Sequence, residues 1–349
     1  MTAGGVLTIA FVALVAYANG ANDVSKGVAT LIGSGVATLR RGLVWGTFWT
    51  GAGAAAAFWV SAGLARTFST ALVSANVAGS ARFPLTIAVA SAAWILLASR
   101  NGFPVSTTHS LTGAIVGTGM VAEGFGGIRW PLLFGDVVLP LVLSPLLAAA
   151  SAYLVYRSQG LFAGTWRSCA RFWSRDSVTV SDARLSLLTA VGLTDMLHWT
   201  SSATLSFARG LNDAPKMAGL AVLAVTAPGA SRPLFLATAL AMAAGSYVFG
   251  RRVTETLACG ITEINRGEGV SANATAATFV LLASFMTLPV STTHVSTGAI
   301  VGAGWRDGAS AIRWKTVSEI LAAWIITLPI SALLAAAIWL VAGSGLNGR

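Results

Sequence analysis

Pro104-Val105-Ser106-Thr107-Thr108-His109 is written twice in this chain. Pro289-Val290-Ser291-Thr292-Thr293-His294 repeats all six residues at an offset of 289 − 104 = 185. The copies extend outward: each is preceded by LLAS, at 96–99 and 281–284, and runs on into TGAIVG, at 112–117 and 297–302. One Ser-Thr-Thr turn on its own reads as ordinary helix capping. Two identical copies inside apolar sequence point instead to one site built from two related halves.

The chain has 349 residues, of which 55% are hydrophobic and only 10% charged, with a mean hydropathy of +0.75. A soluble protein of this length carries roughly a quarter charged residues, so the composition is that of an integral membrane protein. Its long apolar runs indicate helices rather than a barrel, and 38 Gly suit close helix packing. The net charge of +10 sits at helix ends and in one loop, which favours membrane orientation over nucleic-acid binding. Cys169 and Cys259 build no disulfide framework, and CxxC metal spacing is absent from the sequence. Residues 1–20 lack a basic start and a clear cleavage site, so they read as a first helix rather than a removed signal peptide.

Residues 4–39 are apolar except for Asn19-Gly20-Ala21-Asn22-Asp23 and Lys26. One crossing needs about 20 residues, and this polar centre predicts a helix broken at mid-membrane. Two short helices joined by a surface turn are the alternative. A crossing at 42–65 follows, then the apolar segment 84–99, the first PVSTTH turn, and a short helix to about Met120. Such a turn must be sheltered in protein or line a wet cavity, so a re-entrant hairpin is expected, unless 84–99 crosses by itself. Residues 130–156 cross next and contain Pro140 and Pro145, before hydropathy collapses over 157–184, which hold five Arg.

The order then repeats. Residues 185–225 are interrupted by Arg209-Gly210-Leu211-Asn212-Asp213-Ala214-Pro215-Lys216, 233–250 cross, 271–304 form the second hairpin and 313–341 cross last. The expected fold is an all-α polytopic membrane protein with two inverted-topology repeats, broken helices and two re-entrant hairpins. Residues 1–156 form the first repeat, 157–184 a cytoplasmic linker and 185–349 the second repeat. With the N- and C-termini outside, the cytoplasm receives Arg40, Arg41, the five linker Arg, Arg251, Arg252, Arg266, Arg306, Arg313 and Lys315. The outside receives Arg66, Arg82, Arg129, Arg232 and Arg349, so thirteen cations face five, as the positive-inside rule asks. Inverted repeats with broken helices meeting near the midplane are the signature of secondary transporters.

A broken helix offers unpaired N–H groups and a positive dipole end to an anion. Asn22-Asp23 and Asn212-Asp213 stand where such starts are expected, and Pro215 suits a first turn. Ser106 and Ser291 can cap the hairpin helices, leaving Thr107, Thr108, Thr292 and Thr293 to donate O–H bonds. Four converging starts would surround a small oxyanion. Asp23 and Asp213, with Asn22 and Asn212, could ligate a coupling cation such as Na+, or an aspartate could accept a hydrogen bond from protonated phosphate. Lys26 and Lys216 follow three residues after the aspartates, either as ion pairs or as substrate contacts. Asn19 and Arg209 open the two polar stretches as further candidates. Arg100 is either a bidentate oxyanion ligand or an interfacial anchor. Asp195, His198, His109 and His294 are weaker candidates.

At these residues the chain resembles the inorganic phosphate transporter (PiT) family. The resemblance rests on NGANDV at 19–24, GLNDAP at 210–215 and the two PVSTTH turns, in order over nearly the whole chain. It implies phosphate symport with Na+ or H+ and no other cofactor, a multi-pass cell-membrane location and a homodimer. It also implies that Asn22, Asp23, Asn212 and Asp213 with the Ser-Thr-Thr pairs form the phosphate and cation sites. Many members carry Asn where this chain has Lys26, and a tethered ammonium could replace one bound cation. Sulfate permeation within the same family is an alternative, as is a passive anion channel. An enzyme is disfavoured, because a hydrolase needs one nucleophile with a base and an orienting group, whereas the hydroxyl cluster here is duplicated.

Overall fold

A computed structural model describes residues 2–60, 62–173, 180–225 and 229–344, and it is almost entirely helical. The helices are α1 (Ala3–Gly33), α2 (Leu39–Val60), α3 (Ala62–Arg66), α4 (Ala75–Gly79), α5 (Arg82–Arg100), α6 (Thr107–Glu123) and α7 (Trp130–Leu132). They continue as α8 (Leu139–Trp173), α9 (Val180–Leu223), α10 (Ser231–Phe249), α11 (Arg251–Cys259), α12 (Arg266–Phe285), α13 (Thr292–Gly304) and α14 (Trp314–Ser344). Among the described residues, five helices are long and apolar enough to cross a membrane singly: Ala3–Gly33, Arg82–Arg100, Trp130–Ser158, Ser231–Phe249 and Trp314–Gly343. Residues 157–184 are helical as far as Trp173 and again from Val180, with 174–179 outside the described residues.

The expected breaks in α1 and α9 do not occur. α1 is one helix of 31 residues that runs through Asn19–Asp23, and α9 is one of 44 residues that runs through Arg209–Lys216 with Pro215 inside it. The glycines there serve packing instead. A Cβ on Gly20 would overlap the Met242 carbonyl of α10, and one on Gly210 would overlap the Thr50 carbonyl of α2. Only glycine lets those backbones approach so closely. Burial of Leu211, Ala214 and Met217 around Pro215 opposes the roughly 3 kcal/mol that proline costs inside a helix.

α1 packs on α10 and α9 on α2, while α6 packs on α14 and α13 on α8. The first hairpin can be traced along α14. Arg82 at the start of α5 lies over the Trp339 ring, and the Trp94 indole donates to Thr327 at 2.9 Å. The Trp324 indole then donates to the Pro104 carbonyl at the tip, at 3.2 Å. α6 returns in the opposite sense, with Gly113 against Leu328 and Gly117 against Ala332. The chain thus leaves on the side from which it entered. The second hairpin packs its returning arm on α8 in the same manner, with Gly298 against Pro145 and Gly302 against Ala149. At about 1.5 Å per residue, the 19 residues of α5 are close in length to the thickness of an apolar layer.

Candidate functional site

Asn19, Asn22, Asp23 and Lys26 follow i, i+3, i+4, i+7 spacing, which places them on one face of α1. Arg209, Asn212, Asp213 and Lys216 do the same on α9, and all eight are at most 1% exposed. Both faces meet the hairpin tips. Asn22 donates to the Ser99 hydroxyl and the Phe103 carbonyl, each at 2.9 Å, and its Oδ1 accepts the Val105 N–H at 3.1 Å. Asn212 donates to the Ser284 hydroxyl at 3.1 Å. Asn22 thereby fastens an unbroken helix to an irregular tip whose Phe103 and Val105 backbone groups would otherwise be buried without partners, whereas Asn212 is tied to the last turn of α12 through a side chain.

At the tips, Ser106 and Ser291 are N-caps, accepting the His109 and His294 N–H groups at 3.2 Å in both cases. α6 and α13 therefore begin at Thr107 and Thr292 and aim the positive ends of their dipoles at the cluster. The tips also grip one another. Thr108 donates to the Val290 carbonyl at 3.1 Å, and Thr293 to the Val105 carbonyl at 2.9 Å.

Each aspartate divides its oxygens between two tasks. Asp23 Oδ1 pairs with the Lys26 ammonium, and Asp213 Oδ1 with Lys216 at 2.9 Å. The two Oδ2 atoms share donors: Asn19 Nδ2 lies 3.0 Å from that of Asp23 and 3.5 Å from that of Asp213. The Thr292 hydroxyl lies 3.5 and 3.3 Å from the same pair. Asn19 also donates to the Thr107 hydroxyl at 3.0 Å. Arg209 donates to the Thr50 hydroxyl at 2.7 Å and to Asn19 Oδ1 at 3.4 Å, while its buried Nε has no partner. Three cations and two carboxylates are thus enclosed together, a net charge of 3 − 2 = +1. An uncompensated buried charge is costly, and a monoanion would neutralise it.

Ser106, Thr107, Thr108, Ser291, Thr292, Thr293, Asn19, Asn22, Asp23, Lys26, Arg209, Asn212, Asp213 and Lys216 all converge here. Arg100 does not. Its side chain is exposed at the end of α5, and its carbonyl accepts from the exposed Arg252 guanidinium at 2.6 Å, at the surface rather than at the cluster. Because α1 and α9 are unbroken, Asn22-Asp23 and Asn212-Asp213 are not helix starts. Two helix N-termini converge instead of four, and buried cations supply the remaining positive potential. Of the oxygens expected to hold a coupling cation, the Oδ1 atoms of Asn22, Asp23, Asn212 and Asp213 face the two lysine ammonium groups.

Three participants escaped sequence reading: Ser99, Ser284 and Thr50. The repeated LLAS held the signal for the first two, since the serine is its one polar residue. Nothing local distinguishes Thr50. Asp195 pairs with Arg266 at 2.7 Å and His198 sits 3.0 Å from the Thr30 hydroxyl, apart from the cluster. The His109 and His294 rings lie 4.6 Å apart, and His294 stacks on Trp324 with its Nδ1 3.1 Å from the Leu141 carbonyl.

The fold and the sequence have close counterparts among known proteins. A solved structure described as "The sodium-dependent phosphate transporter" superposes with a TM-score of 0.81 at 23% identity, covering 98% of this chain and 99% of that one. At that identity the likeness establishes the shared fold. A Mycobacterium bovis protein named "Probable low-affinity inorganic phosphate transporter" is 30% identical, over 92% of this chain and 73% of its own length. The Arabidopsis thaliana "Inorganic phosphate transporter 2-1, chloroplastic" is 27% identical, over 94% of this chain and 70% of its own. The model of the phosphate transporter family matches residues 19–335, which include both polar helix faces and both hairpins, and the chain belongs to that family.

Proposed function

We propose that this multi-pass membrane protein imports inorganic phosphate by cation symport, with the anion held between the two hairpin tips. The carrying observation is the buried +1 cluster at the start of two hydroxyl-capped helices. Thr107 and Thr292 hold their hydroxyls at the cluster while Thr108 and Thr293 lock the tips around it, Arg209 retains an unpartnered N–H, and Lys26 and Lys216 balance the aspartates. Asn22 and Asn212 position the tips. Asp23 and Asp213 direct their Oδ2 atoms at Thr292 and Asn19, where each can accept a hydrogen bond from a protonated phosphate oxygen. Charge distribution supports both termini lying outside.

Phosphate uptake into proteoliposomes, with Na+ and pH gradients imposed separately, tests the proposal. Accumulation above equilibrium under either gradient is the expected result. Equilibration alone would identify a passive channel, and stronger uptake of sulfate would identify a sulfate permease.

A further inference from the structure

Resting on that transport reading, we infer that the Lys26 and Lys216 ammonium groups occupy the positions of coupling cations. Phosphate is then bound and carried without Na+. Around Lys216 Nζ stand Asn212 Oδ1 at 2.7 Å, the Thr108 hydroxyl at 2.8 Å, Asp213 Oδ1 at 2.9 Å and the Val290 carbonyl at 3.0 Å. Around Lys26 Nζ stand Asp23 Oδ1, Asn22 Oδ1 at 3.2 Å and the Val105 carbonyl at 3.5 Å. Carboxylate, amide, hydroxyl and freed backbone carbonyl oxygens are the ligand set that a hard cation takes.

Here that set is turned on an ammonium covalently tied to the same helix, three residues from its aspartate. An ammonium has three protons to donate and no lone pair, so each lysine consumes the acceptors that Na+ would require. A Na+ ion entering either cage would meet a like charge in a fully buried site, where screening is weak.

The charge count leads to the same conclusion. With both lysines in place the cluster is +1 before any ion arrives, and one dihydrogen phosphate brings it to zero. Adding two Na+ would raise it to 3 + 2 − 2 = +3 and leave a buried excess that one phosphate cannot cancel. The two tethered cations also reach the tips, through Val105 on the first and Val290 on the second. They therefore hold the hairpins to α1 and α9, the coupling that a bound ion would otherwise provide.

The full-length protein is tested in proteoliposomes under an inward pH gradient, with the external cation either Na+ or N-methyl-D-glucamine. Equal phosphate uptake in both media is expected. Uptake that requires Na+ overturns the inference and leaves the transport reading intact. No uptake under Na+ and pH gradients combined overturns the transport reading itself. Lys26→Ala supplies a second readout, because it frees Asp23, Asn22 and the Val105 carbonyl to take an ion. Na+, compared with choline, should then raise the melting temperature of the variant but not of the wild type. Phosphate affinity of the variant should fall by about tenfold or more when choline replaces Na+. Equal affinity in both salts would show that the lysine does not stand in for a cation. Should Lys26→Ala not fold, Lys216→Ala is read in the same way, and the wild-type comparison decides in either case.

Discussion

The Thr293 hydroxyl donates to the Val105 carbonyl at 2.9 Å, joining the two turns through residues 188 apart in the chain. Thr108 returns the bond to Val290 at 3.1 Å, but it also accepts from Lys216 at 2.8 Å. The two locks are therefore unequal. Thr293→Val should cost about 1 kcal/mol, the net worth of one neutral hydrogen bond. Thr108→Val should cost about 2–3 kcal/mol, since it also deprives a charged donor of a partner. Thermal unfolding of the two variants in the same detergent checks the order, and equal losses would remove the special position of Thr108.

Ser106→Ala and Ser291→Ala each delete an N-cap whose acceptor distance is 3.2 Å. Helix stability should fall by roughly 0.5–2 kcal/mol per cap, and phosphate affinity should weaken because the helix start proposed to face the anion frays. Concentration dependence of phosphate uptake is the measurement. Wild-type affinity in both single variants would separate the tips from the substrate.

Discrimination against sulfate should depend on an aspartate. Near neutral pH phosphate carries a proton that sulfate lacks, and Asp23 and Asp213 turn their Oδ2 atoms toward the shared donors Asn19 and Thr292. A site built around a required donor rejects analogues lacking it, because the buried acceptor stays unpaired. Asp→Asn at the responsible position should weaken phosphate and admit sulfate as a competitor against labelled phosphate. If sulfate fails to compete in both Asp23→Asn and Asp213→Asn, the carboxylates do not read the proton.

Orientation can be checked at Cys259, which is exposed at the end of α11 between Arg251-Arg252 and Arg266. In a Cys169→Ser background, a membrane-impermeant maleimide should leave intact cells unlabelled and react after permeabilisation. Labelling of intact cells would place this face, and with it the clustered arginines, outside.

Composition alone was enough to identify a helical membrane protein, because 10% charged residues cannot solvate the surface of a 349-residue soluble fold. The duplicated PVSTTH likewise announced both hairpin tips and both serine caps. These are local matters, since a cap is settled by a hydroxyl and the next few N–H groups. Gly20 with two Asn and an Asp looked locally like a helix breaker, and here the sequence misled. Whether a helix breaks depends on what its polar side chains find elsewhere. Asn22 finds Ser99 and Phe103, Asp23 finds Lys26, and Gly20 lies against Met242 of α10, so α1 keeps its own backbone bonds and continues. Arg100 was equally undecidable, because its place depends on how far α5 reaches before the chain turns back. The meeting of Asn19 with Arg209, or of Thr108 with Val290, is created by long-range packing of four chain segments. Only the tertiary structure could decide that the two motifs build one enclosed, positively charged site.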